Sequence, residues 1–527
     1  MVTTRCPIGS LGVPELSEVQ ANAVRELLRV SPVAVELGDR FAAAGHALHL
    51  VGGSVRDALL GRLGDDLDFT TDARPEQVQA LVDGWAEATW SAGIAFGTVG
   101  LQRAGFRIEI TTYRAEAYDR SSRNPVVTYG DTIAEDLVRR DFTVNAMAVA
   151  LPDWRAPDAF VDLHGGLDDL AAGVLRTPGT PEESFGDDPL RMLRAARFAA
   201  QLGFEVAPEV VRAMREMAGR LEIISVERIN DELSKLVCAA SPRAGLELLV
   251  TTGLADQVLP ELPALRLEID EHHQHKDVYD HTLQVLDRAI ALEQDGPDLV
   301  LRLAALLHDI GKPRTRRKEP GGGVSFHHHE VVGASMARKR LTALRYPKDV
   351  VAAVVLLTEL HLRFHGYRVG GGQGHSVGGG QGHSMGGGQG RAPGGGQGSA
   401  WTDSAVRRYV TDAGPQLERL HKLVRSDCTT RNRRRAAALA AAYDDLEARI
   451  AALAEQEELG RIRPDLDGTA IMELLQLPPG PQVGQAYRHL LEVRMERGPL
   501  PREQAEAALL AWAREQGLAA PGAEPLG

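Results

Sequence analysis

Residues 64–72 read GDDLDFTTD, a short run in which Asp66 and Asp68 alternate with Leu67 and Phe69. A period of two is the pattern of a β-strand with one buried face, so the stretch predicts a strand that sends both carboxylates to one side and both apolar side chains into a core. Two neighbouring carboxylates repel unless a cation lies between them, and a hard divalent ion such as magnesium suits an all-oxygen pair. A third acid is at hand in FRIEITTY (106–113), where Glu109 alternates with Ile108 and Ile110. A solvated strand edge would give the same pattern, so the neighbouring sequence has to decide.

Upstream, LVGGSVRDALLG (50–61) reads as strand, double-glycine turn and helix, which puts backbone N–H groups and Arg56 at a helix N-terminus where a triphosphate could bind. Phosphate binding beside metal binding is what two-metal phosphoryl or nucleotidyl transfer requires. Further strands are expected in HALHLV, TVGLQ and NAMAVAL, and from residue 161 onward the apolar spacing becomes that of helices. The expected fold class is α+β, an α/β head followed by a mostly α-helical body.

Bulk properties fit that division. A chain of 527 residues, 43% hydrophobic and 25% charged, exceeds one core. Its apolar runs are shorter than a bilayer needs and its start, MVTTRCPIGS, has no signal pattern, so a cytoplasmic protein without membrane partner is expected. Cys6, Cys238 and Cys428 are too scattered for a disulfide framework or a zinc pattern. A net charge of −13 argues against a general nucleic-acid coat, although basic clusters stand at 138–142 (VRRDF), 312–318 (KPRTRRK) and 431–435 (RNRRR), where solvated faces would serve as well. Between 369 and 400 an octad of the form VGGGQGHS repeats; its glycine content predicts a flexible insertion, and His375 and His383 offer ligands for a soft metal.

GGSVRD (52–57) followed by DDLDF (65–69) resembles the nucleotidyltransferase signature of the DNA polymerase β superfamily. RRDFTVNAMA (139–148), DLHGGLDDL (162–170), DDPLRMLRAARFAAQLGF (187–204) and SVERINDELSKLV (225–237) resemble, in order, the later motifs of the bacterial-type (class II) CCA-adding tRNA nucleotidyltransferases. The resemblance implies a polymerase β-like head in which Asp66 and Asp68 hold Mg2+, Gly53, Arg56 and Arg140 contact the nucleotide, and Glu109 is available to complete the metal site. It departs from the family at Asp187, where Glu is usual. YRAEAYDRSSRNPVV (113–127) resembles the flexible basic loop of enzymes that add the complete CCA, and RPDLDGTAIMELLQLPPGPQVG (463–484) the tRNA-contacting end.

One motif has a physical reading of its own. Asp188 and Arg191 are three apart on a predicted helix, with Arg194 and Arg197 along a similar stripe. A carboxylate accepts from an exocyclic amino group and a guanidinium donates to a ring nitrogen or carbonyl, so the pair would admit CTP and ATP and reject UTP and GTP. A salt-bridged surface helix is the plainer alternative. The expected activity is template-independent addition of CCA to tRNA, with pyrophosphate released; a poly(A) polymerase or a CC- or A-only enzyme would share the head.

A second centre is suggested by VYDHTLQVL (278–286), LLHDIGKPRT (306–315), FHHHEVVGA (326–334), LTELHLRFHGY (357–367) and RSDCTTRN (425–432). Histidine and carboxylate together suit a transition metal or magnesium acting on phosphate esters, whereas a lone His-Asp pair is usually structural. HDIGK resembles the HD phosphohydrolase superfamily, which would make His281, His308, Asp309 and Asp427 ligands of a divalent metal of unknown identity, with His329 and His361 as additional matches. An HD phosphohydrolase with an RNA-binding head is thus the rival from another class. The expected domains are an N-terminal helical extension (1–33), the head (34–160), a helical neck (161–265), the HD domain (266–440, with the glycine insertion) and a tRNA-contacting tail (441–527). The expected partners are tRNA, CTP and ATP, with no obligate protein partner evident.

Overall fold

The computed structural model of the chain describes residues 17–62, 64–90, 93–94, 97–117, 126–156, 158–267, 277–320, 324–366, 401–428, 433–457 and 462–518. They group into two compact units, Met1–Pro260 and Glu261–Gly527.

In the first unit, helices α1 (Glu18–Val30) and α2 (Pro32–Ala43) precede strand β1 (Leu48–Val51). Ser17 and Gln20 close a capping box on α1. Gly52, at φ +71°, then turns the chain from β1 into α3 (Gly53–Leu59). Next come β2 (Asp66–Thr71), α4 (Pro75–Val82), β3 (Ala88–Trp90), β4 (Thr98–Arg103) and β5 (Phe106–Thr112). A ribbon of β6 (Arg114–Ala117) and β7 (Val126–Tyr129) leads to α5 (Ile133–Val138), β8 (Met147–Leu151) and β9 (Phe160–Asp162). The seven-stranded sheet runs β3-β4-β5-β2-β1-β8-β9, with β2 and β5 parallel and its other neighbours antiparallel.

The alternation read in the sequence is the alternation of the sheet. Leu67, Phe69, Ile108, Ile110, Val99 and Leu101 are buried almost completely, while Asp66 is exposed and Asp68 and Glu109 are half-buried on the other face. Helices α2 and α4 pack on the sheet through Leu37, Phe41, Val78 and Val82, all buried.

Helices α6 (Gly166–Ala172), α7 (Pro181–Asp187), α8 (Leu190–Leu202), α9 (Pro208–Met217), α10 (Val226–Val237), α11 (Pro242–Thr251) and α12 (Leu254–Val258) complete the unit. Helix α8 is buried along most of its length between α10 and α11, and a Cβ on Gly245 of α11 would come 2.4 Å from the Ala196 carbonyl. The expectation that Asp188 and Arg191 share a helix is corrected. Asp188 has extended backbone at φ −138°, ψ 98° between α7 and α8, because the residue before Pro189 is kept out of the helical region.

The second unit is helical: α13 (Val278–Ala291), α14 (Leu299–Leu307), α15 (Lys312–Thr315), α16 (His329–Ala343), α17 (Lys348–Leu360), α18 (Asp403–Ala413), α19 (Leu417–Asp427), α20 (Arg433–Gln456), α21 (Gly468–Leu475), α22 (Pro481–Arg497) and α23 (Arg502–Glu515). The last three enclose a small core around Ile471, Leu475, Leu490 and Leu509. No helix among the described residues is long and apolar enough to cross a membrane. The glycine octads with His375 and His383, and residues 118–125 of the basic loop, lie outside the described residues.

Phe69 anchors the acid-bearing strand from its buried side. Phe69→Ala should lower the stability of the first unit by about 3–5 kcal/mol, seen as an earlier denaturant-induced loss of its secondary structure.

Candidate active site and metal centre

The acids of the head are placed by register. Asp68 of β2 stands opposite Glu109 of the parallel strand β5, and Asp66 opposite Arg107. The Ser54 hydroxyl accepts from the Asp68 N–H and donates to the Asp66 carbonyl, both at 3.1 Å, which fastens the first turn of α3 to the acid strand. A Cβ on Gly52 would lie 3.0 Å from the Arg140 guanidinium and 3.9 Å from Asp68 Oδ2, so only glycine leaves that approach open. Burial raises the Asp68 pKa; Arg140 and Arg56 oppose the rise while Glu109 and Asp66 add to it. Such a carboxyl gains from a nearby cation, and the all-oxygen donor set of Asp66, Asp68 and Glu109 fits a hard divalent ion. Glu109 is meanwhile engaged by Arg107 at 3.1 Å.

Asp68 and Glu109 line a cavity of about 330 Å3 together with Arg114, Arg139, Arg140, Asp188, Arg191, Arg194 and Arg228. Asp188 accepts from Arg228 at 2.6 Å. Arg191 donates to Ser184 Oγ at 2.9 Å and to the Arg139 carbonyl. Arg140 is held by the fully buried Asp136 at 3.0 Å.

Arg56 and Arg197 are buried instead of lining the cavity. Arg56 pairs with Asp57 at 2.7 Å and donates to Asn145 Oδ1 at 2.5 Å, and Arg197 pairs with buried Glu232 at 3.1 Å. Asn145 donates to Asp141, which also receives Arg194 at 2.5 and 2.8 Å. The pull of Arg194 and Asn145 outweighs burial and holds the Asp141 carboxyl well below its ordinary range. Asp57, Arg56, Asn145, Asp141, Arg194, Glu232 and Arg197 therefore form one chain of polar contacts beside the cavity, with all three arginines around the Phe198 ring at 4.2–5.4 Å.

In the second unit the predicted ligands converge from helix ends. His281 projects from α13; His308 and Asp309 follow α14; His329 opens α16; His361 follows α17; Asp427 closes α19. His281 Nε2 is 2.9 Å from Asp427 and 3.6 Å from Asp309, His308 Nε2 is 3.2 Å from Asp309, and His329 Nε2 is 3.3 Å from its other oxygen. His308, His329 and His361 each donate from Nδ1 to a backbone carbonyl, of Ala305, Phe326 and Thr358, at 2.8, 2.8 and 2.6 Å. A carbonyl can only accept, so each Nδ1 carries the proton and each Nε2 presents a lone pair in the neutral ring. None of these three buried Nε2 atoms makes a hydrogen bond.

Among the described residues only this cluster brings three donor atoms within 4.8 Å of one another, in two sets that share Asp309: His281, His308, Asp309, and Asp309, His329, His361. The nitrogen-rich donors fit a divalent transition ion. Burial and the neighbouring His308 push His361 down to about 3, whereas Asp309 and Asp427 hold His308 above its ordinary value in spite of burial.

Three sequence-family models match: "Poly A polymerase head domain" over 48–176, "Probable RNA and SrmB- binding site of polymerase A" over 203–265 and "HD domain" over 278–393. The A-adding tRNA nucleotidyltransferase of Deinococcus radiodurans is 31% identical over 481 residues, which take in 88% of this chain and 95% of that one. The chain belongs to the tRNA nucleotidyltransferase family. The CCA-adding enzyme of Levilactobacillus brevis is 42% identical over 212 residues, 40% of this chain and only 51% of the relative, so the match spans about half the length of that protein. The fold matches the crystal structure of the Bacillus stearothermophilus CCA-adding enzyme in complex with CTP at a TM-score of 0.63 and 24% identity, covering 92% of this chain and 98% of that one.

Several residues of this tRNA nucleotidyltransferase site escaped sequence reasoning: Ser54, Asp136, Asp141, Asn145, Arg228 and Glu232. Asp136 left a signal, an acid four residues before Arg140 on a short helix. DLHGGLDDL proves to be structural, since Asp162 accepts from the N–H groups of Gly166 and Leu167 at 2.8 and 2.9 Å, and a Cβ on Gly166 would lie 2.2 Å from the Thr143 carbonyl. The glycine of HDIGK has a similar cause: a Cβ on Gly311 would meet the His329 carbonyl at 2.1 Å.

Because its folded pKa is raised, Asp68 takes up protons more readily folded than unfolded, so its contribution to stability is present at low pH and lost as pH rises through the folded pKa. In metal-free buffer Asp68→Asn should therefore melt higher than the unsubstituted protein at pH 8, with the gain vanishing near pH 3. Purified protein should also carry transition metal by elemental mass spectrometry, and Asp309→Ala, which removes the shared carboxylate, should lose most of it.

Proposed function

We propose that this tRNA nucleotidyltransferase adds CCA to the 3′ ends of tRNA from CTP and ATP, without a nucleic-acid template, and releases pyrophosphate. The observation that carries the reading is the single cavity in which Asp68 and Glu109 face Asp188, Arg191 and the surrounding arginines. Asp66 and Asp68, with Glu109, would hold magnesium, which when bound neutralises triphosphate charge and lowers the pKa of the attacking 3′-hydroxyl. Arg139, Arg140 and Arg228 supply fixed positive charge for the triphosphate, with Gly52 and Gly53 leaving room for its approach. The carboxylate of Asp188 would accept from cytosine N4 or adenine N6, with Arg191 donating to the adjoining ring atom; uracil and guanine carry a carbonyl where the amino group is needed. Arg56, Arg194 and Arg197 hold the walls through the Asp141 and Glu232 network.

A second reading, addition of A alone, is favoured by one finding: the relative aligned over nearly its whole length is named an A-adding enzyme. The HD cluster supports a metal-dependent phosphatase or phosphodiesterase activity in the same chain, with His281, His308, Asp309 and Asp427 as ligands. Addition of CCA or of A acts on tRNA and nucleotides, which suits a cytoplasmic enzyme.

The test is to incubate the protein and magnesium with a tRNA transcript ending before CCA, supply each nucleoside triphosphate alone and then CTP with ATP, and sequence the 3′ ends. The expected product stops at CCA. A single A added only to transcripts already ending in CC would select the second reading, and no addition would refute both. Asp66→Ala should fall to background, whereas Asp188→Ala should relax the preference for CTP over UTP about 5- to 150-fold, the effect of ~1–3 kcal/mol for an unpaired buried polar group.

A further inference from the structure

We propose that Trp90 and Arg107 form a stacking platform for a base a few positions back from the 3′ end of the RNA strand being extended. The inference rests on the nucleotidyl-transfer reading of the head and adds the place where the primer lies.

The sheet register sets the platform in line with the acids. Trp90 of β3 pairs with Gly100 of β4, Gly100 with Glu109 of β5, and Glu109 with Asp68 of β2. Paired residues present their side chains on the same face, so the indole and the two carboxylates belong to one row. Gly100 contributes no side chain to that row, and the indole occupies its place: a Cβ there would lie 1.9 Å from Trp90 Nε1. The ring thus leans across β4 toward the acids. Arg107 stands over it, 5.4 Å from the ring centroid, and reaches Glu109 at 3.1 Å. Trp90 is half-buried, and with Gln102, Gly105 and Arg107 it lines a cavity of about 520 Å3 separate from the arginine-lined one.

The geometry of displacement assigns this second cavity. An in-line transfer brings the attacking hydroxyl to the side of the α-phosphate opposite the leaving pyrophosphate. The arginines suited to a triphosphate lie toward β1 and α8, with Val51, Arg140 and Arg191 in one lining, while Trp90 lies on the other side of the acids, at the β3 edge, with Arg107 of β5 reaching over its ring. The RNA end therefore approaches over β4 and β3. Strands are about 4.8 Å apart, so a ring over β4 stands about 10 Å from Asp68, about three stacked bases of ~3.4 Å. Stacking on an aromatic face accepts any base, and the adjacent guanidinium can meet a backbone phosphate, which suits an enzyme whose substrates differ in sequence next to the added end.

The decisive measurement is the Kd of the full-length protein for a tRNA transcript ending before CCA, by filter binding at fixed salt, for the unsubstituted enzyme, Trp90→Ala and Trp90→Phe. Trp90→Ala should weaken binding about 5- to 100-fold, the loss of one base–aromatic stack, and raise the KM for RNA while leaving the KM for CTP unchanged; Trp90→Phe should recover most of the loss. Transcripts with one abasic residue among the last four positions supply an arm independent of any substitution. At one position the abasic transcript should lose a similar factor with the unsubstituted enzyme and nothing further with Trp90→Ala. An enzyme that extends tRNA normally while Trp90→Ala binds with unchanged Kd, or abasic losses that simply multiply with that of Trp90→Ala, would overturn the platform and leave the activity of the head standing. An unsubstituted enzyme that adds no nucleotide would overturn both.

Discussion

The Asp141 carboxylate is the point on which the head depends. One oxygen accepts from the Phe142 N–H and from Asn145, and the other from two nitrogens of Arg194. Through Asn145 it reaches Arg56 on the helix that follows the glycine turn, and through Arg194 it reaches Glu232 on α10. Four separated segments of sequence are thereby fixed around one cavity. A buried carboxylate is stable there only because every lone pair has a donor, and removing Arg194 would leave a charge whose desolvation costs of order 3 kcal/mol. The mechanical consequence is that the cavity walls cannot shift independently. The proposed selection of amino over carbonyl groups on a base would need such stiffness, since a site about one ångström too loose loses its preorganisation.

The second unit solves a harder electrostatic problem by different means. Four histidines and two carboxylates gather at helix ends, with His308, Asp309 and His361 almost wholly buried. Lys312 compensates Asp309 at 2.6 Å, and backbone carbonyls three residues upstream fix three imidazole rings in one tautomer. What these groups lack is a partner for the inward nitrogens, which is the condition a divalent ion would satisfy. The Asp427 carboxylate, beyond the stretch matched as an HD domain, completes the group at 2.9 Å from His281.

Legibility in the sequence followed the range of the interactions. Alternation in GDDLDFTTD and FRIEITTY gave both the strands and the faces, because period-two burial is a local signal. The HD histidines were legible because their spacing carries a motif, and the structure brings all six residues together. Asp188 was misread as helical since the pattern of Asp and Arg three apart outweighed the proline between them. Arg56 and Arg197 show a different limit: a guanidinium beside a predicted phosphate site reads as a ligand, and only tertiary contacts with Asn145 and Glu232 turn it inward. Trp90 was invisible for the same reason, since its meaning comes from a cross-strand partner, Gly100, that lacks a side chain.

The two centres differ in how a metal would come and go. In the head, Asp66 is exposed and Asp68 and Glu109 are only half-buried, on an open sheet face beside an arginine-lined cavity. Such acids bind an ion weakly by themselves and well when triphosphate oxygens complete its shell, so metal and nucleotide are expected to enter and leave together. In the HD cluster His308, Asp309, His329 and His361 are buried, three of the rings are preset in tautomer, and the donors are drawn from five helices, so the protein alone supplies most of a coordination shell. An ion bound there would belong to the folded state and contribute to its stability, as mass action requires of any ligand bound only by the native form. The same chain would thus pair a site whose metal accompanies the substrate with one whose metal resides, and the difference would follow from burial and ligand chemistry.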